Sequence, residues 1–228
     1  MPHRIYIDGQ AGTTALRIRD WLTGRDDLEV KFLPEELRKD PIARKKALRD
    51  AEIALLCLPD DAAKEATAWL ADSPVRILDA STAHRIAEGW VYGLPELTSG
   101  QRERIAQAQR VANPGCYSSA VILLARPLVD AGLIAADAAF SVHALSGYSG
   151  GGRSMIERWE NPTGPLKNLP YEAPYSVGKL HKHIPEIMRW TGLTNEPQFI
   201  PAVGPFRCGM RVQVMIHAKA LPEAGAGS

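Results

Sequence analysis

The sequence has 228 residues, with 27 Lys and Arg against 26 Asp and Glu and a formal charge of +1. That is long enough to bury a sizeable core and to divide into two domains of about a hundred residues each, and a charge so balanced excludes a broad attraction to nucleic acid or to an anionic membrane surface. The longest apolar runs, residues 53–58 and 120–125, fall far short of the ~20 residues of a membrane span. The first residues lead into a strand rather than into the apolar segment of a signal peptide. Three widely spaced cysteines, Cys57, Cys116 and Cys208, give neither a disulfide framework nor a metal-ligand pair. A cytoplasmic protein with reduced thiols, no metal, no nucleic-acid partner and no membrane partner is expected.

Residues 4–8 form a short apolar strand, followed by a turn holding Gly9, Gly12, Thr13 and Thr14 and by a helical pattern at Leu16, Ile18, Trp21 and Leu22. Strand, glycine turn and helix is the geometry that aims backbone N–H groups at a pyrophosphate. The spacing is G-x-x-G-x-x-A rather than G-x-G-x-x-G, and a plain tight turn accounts for it about as well. The continuation favours the nucleotide reading. Strands are predicted at 28–33, 53–58 and 75–79, separated by helices at 41–49 and 62–70, and the strands are apolar throughout rather than alternating. Such a pattern describes a parallel sheet covered on both faces, a Rossmann-type doubly wound domain. Ligands of these sheets lie beyond the carboxyl ends of the strands. Gly9 to Thr14, Leu58-Pro59 and Ser81 to Arg85 fall there. After the second strand, Pro34-Glu35-Glu36-Leu37-Arg38-Lys39 offers both an acid for a ribose hydroxyl and a base for a 2′-phosphate, so it does not choose between the two nicotinamide dinucleotides.

Residues 81–97 look irregular, and in them Arg85 is either a holder of an anionic substrate or an incidental surface cation. A helix at 99–109 and a strand at 110–112 then lead to Asn113-Pro114-Gly115-Cys116. The first three are turn residues, and residues 116–131 carry apolar side chains at helical spacing. Cys116 therefore starts a helix, where unpaired N–H groups and the positive dipole end stabilise a thiolate and can hold an oxyanion on a carbonyl that the sulfur attacks. Beyond it come a strand at 138–144, a glycine-rich loop at 146–154 with Ser146, Gly147 and Arg153, and a helix at 155–159. An ordered excursion with four prolines follows at 161–176. Residues 179–186 bring His181, Lys182 and His183 together, either as a solvated basic run or as a base and a phosphate-binding charge. Strands of a second sheet are expected at 198–201 and 210–218, and residues 221–228 read as a tail without core-forming side chains. Domain boundaries of 1–112 and 113–228 follow.

Six stretches in this order resemble the N-acetyl-gamma-glutamyl-phosphate reductases, in particular their shorter subtype. They are Ile7-Asp8-Gly9-Gln10-Ala11-Gly12-Thr13-Thr14, Cys57-Leu58-Pro59-Asp60-Asp61, Asp79-Ala80-Ser81-Thr82-Ala83-His84-Arg85, Ala112-Asn113-Pro114-Gly115-Cys116-Tyr117, Ser146 to Gly152, and His181-Lys182-His183-Ile184-Pro185-Glu186. The resemblance implies a Rossmann-type domain joined to an α+β catalytic and dimerisation domain of the glyceraldehyde-phosphate and aspartate-semialdehyde dehydrogenase type. It implies NADP(H) as cofactor and reduction of a small-molecule acyl phosphate to an aldehyde in arginine biosynthesis, through a thioester on Cys116. His181 matches the family's base, with His183 as the second candidate. Gly9, Gly12, Thr13, Thr14, Leu58, Pro59 and Ser81 are the expected cofactor contacts, and Arg85, Asn113, Ser146, Gly147, Lys182 and His183 the expected substrate contacts. A homodimer or homotetramer through the second domain's sheet is implied. The family continues past this sequence with a segment of the type D-N-L-x-K-G-x-x-G, so the second domain is expected to be incomplete. An aspartate-semialdehyde-dehydrogenase-like enzyme and a cofactor-binding protein without turnover are the alternatives.

Overall fold

The first strand, β1 (His3–Asp8), sends Ile5 and Ile7 to one side of a sheet and Tyr6 to the other, the two-residue alternation of any extended chain. Both sides are apolar because both are covered. In the same way β3 (Ile53–Leu56) places Ala54 and Leu56 in one core cluster and Leu55 in the other. The first unit, Met1–Pro114, adds α1 (Thr13–Leu22), β2 (Leu28–Lys31), α2 (Pro41–Asp50), α3 (Asp60–Trp69), β4 (Arg76–Asp79), β5 (Val91–Tyr92), α4 (Gln101–Gln107) and β6 (Arg110–Ala112). Its six strands run in the order β2-β1-β3-β4-β6-β5 with every neighbouring pair parallel. The doubly wound domain expected from the sequence is the one found. The computed structural model describes residues 1–9, 13–166, 168–178, 180–217 and 221; Gly12 and the tail at 222–228 lie outside the described residues.

Local chemistry sets the boundaries. Asp40 caps α2 by accepting the Ala43 N–H at 2.7 Å, and Pro41 fits the first helical turn, where a missing N–H costs nothing. The third strand ends at Leu56, two residues earlier than its apolar run suggests, and α3 starts at Asp60 because Pro59 takes the extended N-cap position. Leu58 and Pro59 are thereby loop and cap residues. The short strand β5 had no periodicity to announce it.

The second unit, Gly115–Ser228, opens on α5 (Cys116–Asp130). It continues with β7 (Phe140–Gly147), a 3₁₀ turn at Tyr148–Gly151, α6 (Gly152–Glu160), β8 (Ala173–Pro174), α7 (Ile184–Thr191), β9 (Gln198–Gly204) and β10 (Met210–Ile216). These strands form a mixed sheet in the order β10-β7-β9-β8, with β7 and β9 parallel and the two outer pairs antiparallel. One sheet face carries Phe140 and Val142, which pack with Val121 and Ala125 of α5 and Ile187 of α7. The other face, with Ser141, His143 and Leu145 of β7 and Arg211, Gln213 and Met215 of β10, is half-buried or exposed. Ser146 and Gly147 are not loop residues as the glycine-rich composition suggested: β7 runs on through them because each pairs with β9, and Ser146 with β10 as well. The helix after the glycines starts at Gly152 rather than Met155, and α7 was not expected. Among the described residues no helix is long and apolar enough to cross a membrane.

At the end of β1 the Asp8 carboxylate is buried and receives the Arg44 guanidinium through Nε at 3.1 Å and a terminal nitrogen at 3.0 Å. Arg44 also lies 5.1 Å from the Trp69 ring centroid. Arg44→Met therefore leaves Asp8 buried without its cation and is expected to cost about 3–5 kcal/mol, read as a lower urea midpoint; an unchanged midpoint would mean that the pair contributes nothing.

Candidate active site

The turn before α5 is fixed from both of its backbone ends. The Gly115 N–H donates to Glu186 Oε1 at 2.7 Å, and the Gly115 carbonyl accepts from Ser119 N–H at 2.9 Å, Ser119 Oγ at 2.8 Å and Ser118 Oγ at 3.0 Å. Cys116 is the first residue of this 15-residue helix and is exposed, with Gly115 at the N-cap. Those first-turn N–H groups carry the positive end of the helix dipole.

Tyr117, next in sequence, is fully buried and ties together the residues around the thiol. Its hydroxyl donates to the Ala202 carbonyl at 3.1 Å, and the side chains of Ser146 and Tyr175 lie near it and favour its ionised form. Burial raises the pKa of both phenols, and a negative sulfur at Cys116 raises each further. The ring of Tyr117 also lies 6.4 Å from His181 and 5.7 Å, edge on, from His183, while Tyr175 meets His181 at 5.8 Å. Tyr117, Tyr175, His181 and His183 thus form one ring cluster beginning at the residue after Cys116, and Ser146 and Gly147 stand at the end of β7. Lys182, between the histidines, is exposed. Arg153 is not aimed at this cluster; it pairs with Glu157 on its own helix at 2.8 Å.

His181 is 6% exposed, and its Nδ1 accepts the His183 backbone N–H at 3.2 Å. An accepting Nδ1 leaves the proton of the neutral ring on Nε2. Burial, with Lys182 adding to it, lowers the pKa to about 4, so His181 is a neutral N–H donor at physiological pH rather than an imidazolium.

The first unit builds its own edge. Gly9 has φ +89°, and a Cβ there would stand 2.2 Å from the Cys57 carbonyl oxygen, so only glycine lets the turn cross the end of β3. Asp79, fully buried at the end of β4, accepts from Ser81 N–H at 2.9 Å and Ser81 Oγ at 2.6 Å, and its Oδ2 is 2.6 Å from His84 Nδ1. Trp90 stacks on His84 with centroids 4.0 Å apart, and Asp60 accepts the Thr82 N–H and hydroxyl. This is an edge of backbone and small side chains beyond β1, β3 and β4, with Pro59 exposed at the N-cap of α3, and it fits a dinucleotide. Thr13 and Thr14 start α1; their side chains, like all of Gly12, lie outside the described residues.

Arg85 is not the displayed cation that the sequence suggested. It is 8% exposed and donates through Nε to the Asn113 carbonyl at 3.0 Å; the Asn113 N–H in turn bonds Asp79 at 2.7 Å. It holds backbone, while the Asn113 side chain is exposed. Burial raises the Cys57 thiol pKa to about 11, which leaves that thiol inert near neutrality. Sequence reasoning missed Glu186, Tyr117 and Tyr175 as parts of the site. For Glu186 a signal existed, since Pro185 and an acid one residue later mark a helix start.

Two family models match the chain: semialdehyde dehydrogenase, NAD binding domain, over residues 25–108, and semialdehyde dehydrogenase, dimerisation domain, over residues 116–225. Among curated proteins, N-acetyl-gamma-glutamyl-phosphate reductase 2 of Pseudomonas putida is 51% identical over 218 residues, 96% of this chain and 69% of that protein. N-acetyl-gamma-glutamyl-phosphate reductase of Brucella anthropi is 49% identical over 222 residues, 97% of this chain and 71% of that protein. Among solved structures, aspartate semialdehyde dehydrogenase II from Vibrio cholerae superposes with a TM-score of 0.71 at 15% identity, covering 96% of this chain and 76% of that one. The Candida albicans aspartate semialdehyde dehydrogenase with NADP gives 0.62 at 11% identity over 97% and 73%. At these identities the structures speak for the fold alone.

The lowered pKa of His181 has a stability consequence. The unfolded chain takes up a proton near the ordinary value of 6.5, whereas the folded chain resists it until about 4; the stabilisation is complete above 6.5 and is lost as pH falls through that window. The melting temperature is expected to drop between pH 7 and pH 4.5, and less so in His181→Asn. An identical drop in the variant would show that His181 protonates freely in the folded chain.

Proposed function

Because the chain belongs to the N-acetyl-gamma-glutamyl-phosphate reductase family of semialdehyde dehydrogenases, we propose that it reduces N-acetyl-L-glutamyl 5-phosphate with NADPH to N-acetyl-L-glutamate 5-semialdehyde and phosphate. It spans about 70% of the length of its curated relatives. The observation that carries the reading is the exposed Cys116 on the first turn of α5, followed in sequence by a buried Tyr117 whose ring lies 6.4 Å from a buried, neutral His181. The gap between 51% identity to a reductase of N-acetylglutamyl phosphate and 15% to an aspartate semialdehyde dehydrogenase supports the N-acetylglutamyl substrate over an aspartyl one.

In this reading the first unit binds NADP(H), with Gly9, Leu58, Pro59 and Ser81 at the strand ends, Thr13 and Thr14 at the start of α1, and Gly12 just before them in sequence. The second unit carries the chemistry. The Cys116 thiolate attacks the acyl carbon, the bond to the phosphate oxygen breaks with its electron pair on phosphate, and a thioester on Cys116 remains. NADPH, when bound, supplies the hydride that converts this acyl group to the aldehyde level. The N–H groups that open α5 hold the negative oxygen at each tetrahedral stage, and the His181 Nε2–H is the side-chain donor to the same oxygen. As that oxygen re-forms the carbonyl, the carbon–sulfur bond breaks and the thiolate returns. Ser146, the Gly147 backbone, Lys182 and His183 are the proposed contacts for the substrate's phosphate and carboxylate, with Asn113 presented by the Arg85 bond.

The dimerisation domain supports self-association. We place a homodimer or homotetramer on the open sheet face of His143, Arg211 and Met215, and the chain in the cytoplasm, where arginine is made.

Phosphate-dependent reduction of NADP by N-acetylglutamate semialdehyde, the reverse reaction, tests the reading. Turnover is expected in the unaltered chain and not in Cys116→Ser, which should still bind NADPH. A Cys116→Ser protein with substantial rate would remove the central role of the thiol, and NADPH binding without turnover in either protein would leave a cofactor-binding protein. His181→Asn is expected to lose about 10²–10⁴-fold in kcat/KM and His183→Asn less; the reverse order would move the donor role to His183.

A further inference from the structure

The carboxylate of Glu186 is almost completely withdrawn from solvent, at 1% exposure, yet stands on the first turn of α7. Burying a carboxylate is costly unless donors meet it. One donor is the Gly115 N–H at 2.7 Å, supplied from 71 residues away by the amide immediately before the nucleophile. A helix has several N–H groups without intrahelical partners at its start, and Glu186 settles which of them is consumed. The amide of Gly115 is taken, and the helix opens at Cys116 itself. The Gly115 carbonyl is held equally firmly by Ser118 and Ser119, and the two restraints together fix the plane on which Cys116 stands. Building on the nucleophile role proposed above, we infer that Glu186 is a positioning residue for Cys116. It acts through the Gly115 amide as a hydrogen-bond acceptor.

This role differs in sign from that of a carboxylate acting only as a nearby negative charge. Removing a mere charge lets the thiol ionise at lower pH. Removing the clamp frees the turn and weakens the stabilisation of the thiolate by the α5 amides, so the thiol ionises at higher pH. The test is the pH dependence of Cys116 alkylation by iodoacetamide in a Cys208→Ser background, which removes the other exposed thiol, measured beside kcat and KM for the acyl phosphate. Glu186→Met keeps the volume and loses the acceptor, Glu186→Gln keeps an acceptor and loses the charge, and Glu186→Asp keeps the charge and withdraws the acceptor by one methylene.

The inference expects Glu186→Met and Glu186→Asp to raise the alkylation inflection and to lower kcat by about 10²-fold, the scale of an ångström's misplacement, with KM little changed. Glu186→Gln should restore kcat to near the unaltered rate with no rise of the inflection. If Glu186→Met does not fold, the Asp and Gln variants alone decide. Downward shifts in both uncharged variants, unchanged profiles throughout, or a Gln variant as impaired as the Asp one would each overturn it. Alkylation reads the thiol without substrate or cofactor, so a chain that never reduces the acyl phosphate would still report on the clamp.

Discussion

A polypeptide that leaves a strand and enters a helix within three residues must fix the peptide planes at the turn, or the helix has no defined first residue. Asn113, Pro114 and Gly115 supply a backbone that does not extend the helix backwards, and Glu186, Ser118 and Ser119 hold the two sides of Gly115. Every functional property of Cys116 descends from that. Its exposure and its place on the first turn of α5 are one geometric fact, and the thioester chemistry proposed for it rests on that fact.

Buried polar groups do the corresponding work elsewhere. Asp79 gathers Ser81 and His84 at the end of β4, Asp60 holds Thr82, and Asp8 takes Arg44 behind the Gly9 turn. Asp8 and Asp79 are withdrawn from water and Asp60 partly so, and each is met by donors, as burial of charge requires. The loops of the nucleotide edge are therefore rigid without regular structure. In the second unit a phenol takes this part: Tyr117 donates to the Ala202 carbonyl and packs against both histidines.

The fold was legible where apolar periodicity carried it. Runs such as residues 53–56, apolar on both sides, announce a strand between two covered faces, and the parallel order followed. The two-residue strands β5 and β8 have no period to read, and α7 is short and overlaid by a basic run. Ser146 and Gly147 were assigned to a loop because glycine content was weighed above pairing with β9 and β10, which is a long-range property. The cysteine and the histidines were visible as residue types beside turn signals. What surrounds them was not: the Glu186 contact spans 71 positions, and the burial of Arg85 against the Asn113 carbonyl depends on the tertiary path of a loop. Sequence patterns name the reactive groups, whereas hydrogen bonds that close over long separations decide which of them face the reaction.

The most direct measurement is a single-turnover mixing of the chain with N-acetyl-L-glutamyl 5-phosphate in the absence of NADPH. Phosphate release and the mass of the Cys116 peptide would be followed together. A burst of one phosphate per chain, with an N-acetylglutamyl group on Cys116 that NADPH then discharges as the semialdehyde, is what the thioester route predicts. Phosphate released without acylation of Cys116, or acylation found on another residue, would contradict it.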